Sequence, residues 1–140
     1  MLGYAPRVAR SRVLHSSPDT ISGRENVEGT KGRVPEIIAA ALREAEGSKQ
    51  LVFVDFYAEW CGACKILDRT TLKDPGLLVI LDYFVFLKVD ADIDPDALTY
   101  FSVLGLPTLM VLNEEGVELY RHVGPITAAK LGQELDSLWY

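Results

Sequence analysis

The most constraining feature of this sequence is an unbroken apolar segment, LVFVDFYA at residues 51–58, which lies just before the first of two cysteines. A run of this length, rich in Val and aromatic residues, is typical of a strand that is covered on both faces. Residues 84–91, FVFLKVDA, repeat the pattern, and residues 34–46 place apolar side chains at helical spacing. Strands joined through helices are expected to pair in parallel with right-handed crossovers. The sequence therefore predicts an α/β fold.

The remaining periodicity completes this architecture. We predict strands at 51–58, 84–91, 108–112 and 117–123, and helices at 34–46, from the cysteines to about residue 73, at 75–83, at 95–102 and at 127–138. Gly47 is expected to end the first helix, and Asp94 and Thr127 are expected to cap the last two. The two strands that flank NEEG form an antiparallel hairpin. The predicted result is a mixed central β-sheet flanked by helices on both faces.

Residues 1–33 differ from the rest of the chain. They carry six basic and three acidic residues and lack an apolar signal core, whereas the whole chain has a net charge of −6. We predict a flexible leader or linker here, followed by one domain at 34–140; a folded or partner-bound extension and a targeting segment are the alternatives. The acidic body argues against a nucleic-acid partner. No apolar run approaches the roughly 18–20 residues needed to enter and span a bilayer.

Cys61 and Cys64 stand where a helix is expected to begin. Unpaired N–H groups and the helix dipole favour a thiolate there, so Cys61 is the candidate nucleophile. Cys64 lies one turn further in and is the candidate to resolve a mixed disulfide. As a purely structural staple, a four-residue disulfide loop would stabilise the fold little. A metal site with His15 and His122 is disfavoured because neither histidine has ligand spacing.

Two carboxylates accompany the cysteines. Asp55 is the one charged residue in the apolar strand, so burial should raise its pKa and let it exchange protons with a thiol. Asp68 follows Cys64 at i+4, on the same face of the predicted helix. The alternatives are an Asp55 that reaches solvent near the strand end and an Asp68 that is ordinary surface.

The aspartates of DADIDPD, residues 90–96, alternate like the start of an EF-hand loop. Pro95 stands at the sixth loop position and Phe101 at the twelfth, where such a loop needs Gly and Glu. Calcium is therefore not expected, and capping plus a solvated turn explains the pattern.

The segment FVDFYAEWCGACK resembles the active site of the thioredoxin superfamily, and GLPT resembles its cis-proline loop. The similarity runs from about residue 34 to the C-terminus. Within the superfamily the sequence looks most like the C-terminal periplasmic domain of DsbD-type reductases. This resemblance implies a monomeric thiol–disulfide oxidoreductase with a redox-active Cys61–Cys64 disulfide and with no cofactor or metal. It would receive electrons from a membrane reductase domain and reduce disulfides in periplasmic partner proteins.

The resemblance also implies roles for the surrounding residues. Asp55 would assist deprotonation of Cys64, Asp68 would tune the pair, and Lys88 would pair with Asp55 or extend to the surface. A substrate-binding rim would comprise Trp60, Leu106, Pro107 in the cis form, and Gly124. The ordinary interpretations are core filling for Trp60, an edge-strand start for Pro107 and a plain turn for Gly124, with Glu59 as solvated surface.

Ala63 departs from the pattern, because thioredoxin itself has proline between the cysteines. Residues between the thiols tune the potential, so the reducing direction rests on the overall likeness. A free-standing thioredoxin or organellar homologue, in the cytoplasm or an organelle, is the first alternative. A non-enzymatic metal-carrying module that uses the cysteine pair is the alternative of another class.

Overall fold

The computed structural model describes residues 13–16 and 32–139. In chain order the elements are β1 (Val13–His15), α1 (Glu36–Ser48), β2 (Leu51–Tyr57), α2 (Gly62–Arg69), α3 (Pro75–Leu81), β3 (Phe84–Asp90), α4 (Pro95–Tyr100), β4 (Thr108–Leu112), β5 (Glu118–Val123) and α5 (Ala128–Asp136). Short 3₁₀ helices occupy Thr71–Lys73 and Ser137–Trp139. None of the helices in the described ranges is both long and apolar enough to cross a membrane.

The strands form one mixed sheet in the order β1-β3-β2-β4-β5. β3 pairs in parallel with β1 and β2, while β4 pairs antiparallel with β2 and with β5. The continuous apolar run therefore lies at the centre of the sheet, as its composition predicts. The mixed sheet with helices on both faces is confirmed.

Two apolar layers enclose this sheet. On one face Val52, Val54 and Phe56 of β2 pack with residues of α1 and α4. On the other face Leu51 and Phe53 pack with residues of α2, α3 and α5. Because side chains alternate along a strand, Asp55 falls on the second face, beneath α2. The same alternation places Lys88 beside it, since Asp55 and Lys88 are register partners of β2 and β3.

The predicted end of α1 at Gly47 is wrong. The helix continues to Ser48, and Lys49 ends it in the left-handed conformation (φ 58°, ψ 48°), with its N–H donating to the Ala45 carbonyl. Gln50 N–H bonds the same carbonyl at 3.0 Å. The reversal into β2 thus fixes the end of α1, two residues beyond the position that residue type alone suggests.

The predicted helix from the cysteines to residue 73 is interrupted at Thr70 (φ −115°, ψ −82°). Thr70 Oγ1 donates to the Ile66 carbonyl at 2.7 Å, and Thr71 Oγ1 donates to the Ile126 carbonyl at 2.6 Å. These side-chain bonds compete with the backbone ladder and tie the chain to the loop before α5. A separate 3₁₀ turn results.

The two predicted caps have opposite outcomes. Thr127 caps α5, because its Oγ1 accepts the Lys130 N–H at 3.2 Å. Asp94 occupies the N-cap position of α4, but its side chain makes no capping bond. Its buried Oδ2 has no hydrogen-bond partner among the described residues. The predicted N-cap position of Asp94 is therefore confirmed, but the expected side-chain capping bond is not formed.

Residues 13–15 belong to the sheet, although the sequence analysis assigned them to a leader. β1 pairs with Phe86–Lys88 of β3, and Ser16 extends the contact because its N–H donates to the Lys88 carbonyl at 3.2 Å. Ser16 Oγ accepts the Asp90 N–H at 2.9 Å. This short stretch matches the alternative of a folded extension. The rest of the predicted leader at 1–12 and 17–31 lies outside the described residues, and the boundary at residue 33 stays a prediction.

Candidate active site

The two cysteines form a disulfide at the start of α2, with their Cα atoms 5.3 Å apart. Cys61 is the N-cap residue, and its Sγ accepts the backbone N–H of Cys64 at 3.1 Å. A sulfur at this position receives one of the N–H groups that a helix start leaves without a partner. Both cysteines are buried, Cys64 more deeply than Cys61. The helix start therefore holds Cys61 outermost and supplies a donor that favours its thiolate.

A second wall of the site comes from the loop before β4. The Leu106–Pro107 peptide is cis, and Leu106 packs against the cluster formed by Ala58 and the cysteines. Gly124 at the end of β5 has a φ of +100°, and its N–H donates to the Pro107 carbonyl at 2.9 Å. The structure thus brings together the segments that carry the predicted rim residues Leu106, Pro107 and Gly124.

Trp60 lies on the surface beside the disulfide with 69% of its area exposed, so it does not fill the core. Its Nε1 donates to Asp92 Oδ2 at 3.0 Å. Glu59 is exposed, as predicted. The contact between Trp60 and Asp92 is not predicted by the sequence, where capping and a solvated turn are enough to explain the alternating aspartates.

One lysine joins the two predicted carboxylates. Lys88 Nζ donates to Asp55 Oδ2 at 3.0 Å and to Asp68 Oδ1 at 3.0 Å. The exposed fractions of the three side chains are 2% for Asp55, 14% for Lys88 and 39% for Asp68. Nζ also lies 4.4 Å from the centre of the Tyr57 ring, within cation–π range. Lys88 therefore pairs with Asp55 and does not extend freely into solvent.

Burial raises the pKa of Asp55 above its ordinary value of 3.8; Lys88 opposes this shift and Asp68 adds to it. The prediction of a raised pKa is confirmed. Burial alone would lower the pKa of Lys88, but the two carboxylates outweigh it and the pKa is raised. Asp55 Oδ1 is buried and has no hydrogen-bond partner within the described part of the chain. A protonated Asp55 is therefore favoured at a higher pH than for a solvated aspartate.

Metal ligands do not cluster here. Within residues 13–16 and 32–139, no three side chains of His, Cys, Asp or Glu are placed to hold a metal ion. His15 lies in β1, and His122 Nε2 is 3.0 Å from the Pro125 carbonyl oxygen.

Three features together define a thiol–disulfide oxidoreductase of the thioredoxin fold. They are the strand order of the mixed sheet, the disulfide at the start of a helix and the cis-proline beside it. The family model described as Thioredoxin matches residues 38–137. The chain therefore belongs to the thioredoxin family.

Individual relatives fall into two groups. The thioredoxin of Chlamydia muridarum is 43% identical over 74 residues, which are 53% of this chain and 69% of that protein. The thiol:disulfide interchange protein DsbD 1 of Pseudomonas aeruginosa is 30% identical over 128 residues, which are 87% of this chain but 21% of that protein. Among solved structures, the oxidised C-terminal domain of Neisseria meningitidis DsbD has a TM-score of 0.64 and 23% identity, covering 73% of this chain and 92% of that domain. This structural likeness supports the fold.

Proposed function

We propose that this chain reduces disulfides in partner proteins through Cys61 and Cys64, as an electron-passing domain like that of DsbD. The observation that carries the proposal is the placement of Cys61 as the N-cap of α2, with its Sγ 3.1 Å from the Cys64 N–H. This geometry supports a thiolate on Cys61, the less deeply buried of the two sulfurs, and an inner, resolving Cys64. The disulfide in the structure corresponds to the oxidised end of the cycle.

The proposed cycle has two exchange steps. The Cys61 thiolate attacks a partner disulfide, forms a mixed disulfide and releases one partner thiolate. Cys64 then loses its proton and attacks the Cys61 sulfur, which frees the second partner thiolate and forms the intramolecular disulfide. Asp55 is the proposed acceptor of the Cys64 proton, since it faces α2 from the sheet and its pKa is raised by burial. Reduction by a dithiol donor reverses these steps.

The proposed docking rim surrounds the disulfide. Trp60 is exposed beside it, while Leu106 and Pro107 present the cis-proline loop and Gly124 borders that loop. Because Gly124 has no side chain, nothing projects from this position towards a docked partner. The space is open, since an added Cβ would meet nothing within 4 Å. An extended partner segment is therefore the proposed ligand of the rim. No cofactor, metal or nucleic acid has a part in this scheme.

The likeness to DsbD covers 87% of this chain. It supports the reducing direction, a membrane-bound dithiol donor and a periplasmic setting. The chain spans about a fifth of that relative, so the activity and partners of whole DsbD stay proposals here. A free-standing cytoplasmic or organellar thioredoxin is the second candidate, favoured by the 43% identity to the chlamydial thioredoxin. The two candidates share the chemistry and differ in the electron donor.

A redox titration of the Cys61–Cys64 pair against dithiothreitol buffers, read by thiol alkylation and mass, tests the direction. A midpoint near or below about −230 mV would support an electron donor to other proteins. A midpoint near about −120 to −180 mV would indicate an oxidant or isomerase and would refute the proposed direction.

Trapping tests the assignment of the two cysteines. Cys64→Ser should accumulate mixed disulfides with partner proteins, because Cys61 attacks and nothing resolves the product. Cys61→Ser is the matched control and should trap far less. Equal trapping by both variants would refute the division of roles. Efficient reduction by a soluble NADPH-linked reductase would favour the free-standing thioredoxin.

A further inference from the structure

A series of polar contacts links the buried Asp55 to the surface beside α2. Asp55, Lys88 and Asp68 are linked by two contacts of 3.0 Å. Their exposure increases in that order, from an almost fully covered carboxylate to one that is more than a third exposed. Each successive group in this series can carry a proton and is more exposed to solvent than the one before it.

This series of contacts ends at a groove of about 760 Å³ beside α3, which we call the α3 groove. Leu72, Leu81 and Phe86 contribute apolar lining, and Asp68, Lys88 and Lys73 contribute charged lining. A water molecule occupies roughly 30 Å³ in the liquid, so water and small buffer molecules fit this volume. Asp55 and the cysteines are not among the lining residues, whereas Lys88 and Asp68 are.

A docked partner makes a separate route to solvent useful. In the proposed function a partner covers Trp60 and the cis-proline loop while Cys64 loses its proton. The buried carboxylate that receives this proton is then closed off on the disulfide side. Passing the proton outward while Cys64 attacks would restore the Asp55 carboxylate within the same turnover.

We propose that Asp68 is the proton outlet of the site, so that a proton from Cys64 passes from Asp55 through Lys88 to Asp68 and leaves by the α3 groove. This inference rests on the proposed function and adds a role that acts through Lys88, not on the sulfur atoms. Because none of the rim residues lines the groove, proton release does not compete with partner docking.

The transfer balances in atoms and charge. Cys64 begins as a thiol and gives its proton to the Asp55 carboxylate as its sulfur bonds to the Cys61 sulfur and the partner thiolate departs. In the same step Asp55 passes a proton to Lys88 and the Lys88 ammonium gives one to Asp68. Lys88 is an ammonium before and after, so the net change is one proton moved to Asp68. Asp68 releases it to water or buffer.

Other charged groups also face this region. His15 from β1, Lys73 from the 3₁₀ turn and Asp82 after α3 line the same groove. Asp90 and Glu59 contribute to the electrostatics of Tyr57, whose ring lies under Lys88. Among the described residues, Lys88 forms ion pairs with Asp55 and Asp68, which singles out Asp68 as the outer member of the chain.

The test is chemical rescue of an outlet variant. Reduced wild-type protein and Asp68→Asn are mixed with insulin, and oxidation of the cysteine pair is followed by acid quench and alkylation. The rates are compared at low and high imidazole, at one pH and constant ionic strength. Loss of a positioned proton-transfer group costs on the order of 100-fold. Because water replaces part of the route, we expect Asp68→Asn to be about 10-fold slower at low imidazole and to recover as imidazole rises.

Two control variants accompany this comparison. Asp68→Glu keeps a carboxylate at the outlet and should retain a fast, imidazole-independent rate. Asp136→Asn removes one negative charge from an exposed position on α5 and should behave like wild type. Midpoint potentials of all variants separate a kinetic effect from a thermodynamic one.

The outcomes are distinct. A slow Asp68→Asn rate that imidazole restores supports the outlet. A wild-type rate in Asp68→Asn, or a slow rate that imidazole leaves unchanged, overturns it while the proposed function stands. A wild-type protein that does not reduce insulin at all would overturn the proposed function and the outlet together.

Discussion

Replacing Lys88 with Met is the sharpest test of how the buried carboxylate is tolerated. The substitution removes the ammonium but keeps an apolar stem of similar length, so much of the packing of the lysine stem is retained. Asp55 loses its only ion-pair partner among the described residues, and Tyr57 loses the cation over its ring. The variant therefore isolates the charge of Lys88.

The expected cost follows from burial. Breaking a buried ion pair by removing one partner costs about 3–5 kcal/mol, because the remaining charge stays buried and unpaired. We expect a destabilisation at the low end of this range, because Asp55 can take up a proton and is then no longer a buried charge. We expect the free energy of unfolding to fall by about 3 kcal/mol at pH 7. If the free energy of unfolding decreases by about 1.5 kcal/mol per molar urea, the urea concentration at the unfolding midpoint would drop by about 2 M.

The pH dependence has a defined sign. Lys88 holds the pKa of Asp55 down against burial, so the variant should raise that pKa further above 3.8. A raised carboxyl pKa means that the folded state binds the proton more tightly than the unfolded state does. The penalty is therefore complete above the folded pKa and disappears as the pH falls towards 3.8. Urea unfolding of the oxidised protein at pH 7 and near pH 4 measures both limits.

A double variant separates charge from packing. Asp55→Asn combined with Lys88→Met carries no buried carboxylate, so most of the loss at pH 7 should be recovered. An equal loss at both pH values, or a double variant as unstable as Lys88→Met, would show that packing of the lysine stem is what matters. The electrostatic reasoning would then be wrong.

Three further predictions concern stability and are measured by urea or thermal unfolding of the oxidised protein. Asp55→Asn alone should stabilise the fold at pH 7 by about 1–2 kcal/mol, because it removes a buried ionisable group whose folded pKa is raised. The gain should shrink as the pH falls and vanish below 3.8, where both states hold the proton. Thr127→Ala should cost about 1 kcal/mol through loss of the α5 cap, whereas Asp94→Ala should cost much less because its side chain makes no capping bond. Gly124→Ala should cost about 1–2 kcal/mol because its φ of +100° strains any residue with a Cβ. Its matched control, Gly47→Ala within α1, should instead gain roughly 1 kcal/mol. A neutral Gly124→Ala, a costly Asp94→Ala or a destabilising Asp55→Asn would each contradict the structural assignment behind it.

The elements that could be predicted are those whose cause lies within a short stretch of sequence. β2 is covered on both faces, and that burial leaves a continuous apolar run in the sequence. The burial of Asp55 follows from the same run, because a charged residue inside it cannot avoid the covered sheet. Thr127 caps α5 through a contact three residues away. Local chemistry decides each of these features.

The features that were missed depend on contacts between distant residues. The Lys88–Asp68 contact joins residues 20 positions apart, and the Trp60–Asp92 contact joins residues 32 apart. Neither partner carries a local pattern that identifies the other. Lys49, not Gly47, reverses the chain because the position of β2 fixes the turn. The end of α1 is therefore set by tertiary structure.

The central position of β2 has a consequence for how the protein withstands mechanical load. In the proposed cycle a mixed disulfide links the molecule covalently to a partner, and the pull of that partner would act on the segment directly after β2. This strand is paired along Leu51–Tyr57 with β3 and along Val52–Phe56 with β4. The outer strands β1 and β5 can fray while both of these pairings persist, so deuterium should enter their amides first and those of β2 last. The dithiol is thus attached to a strand that is paired on both sides and is expected to open last.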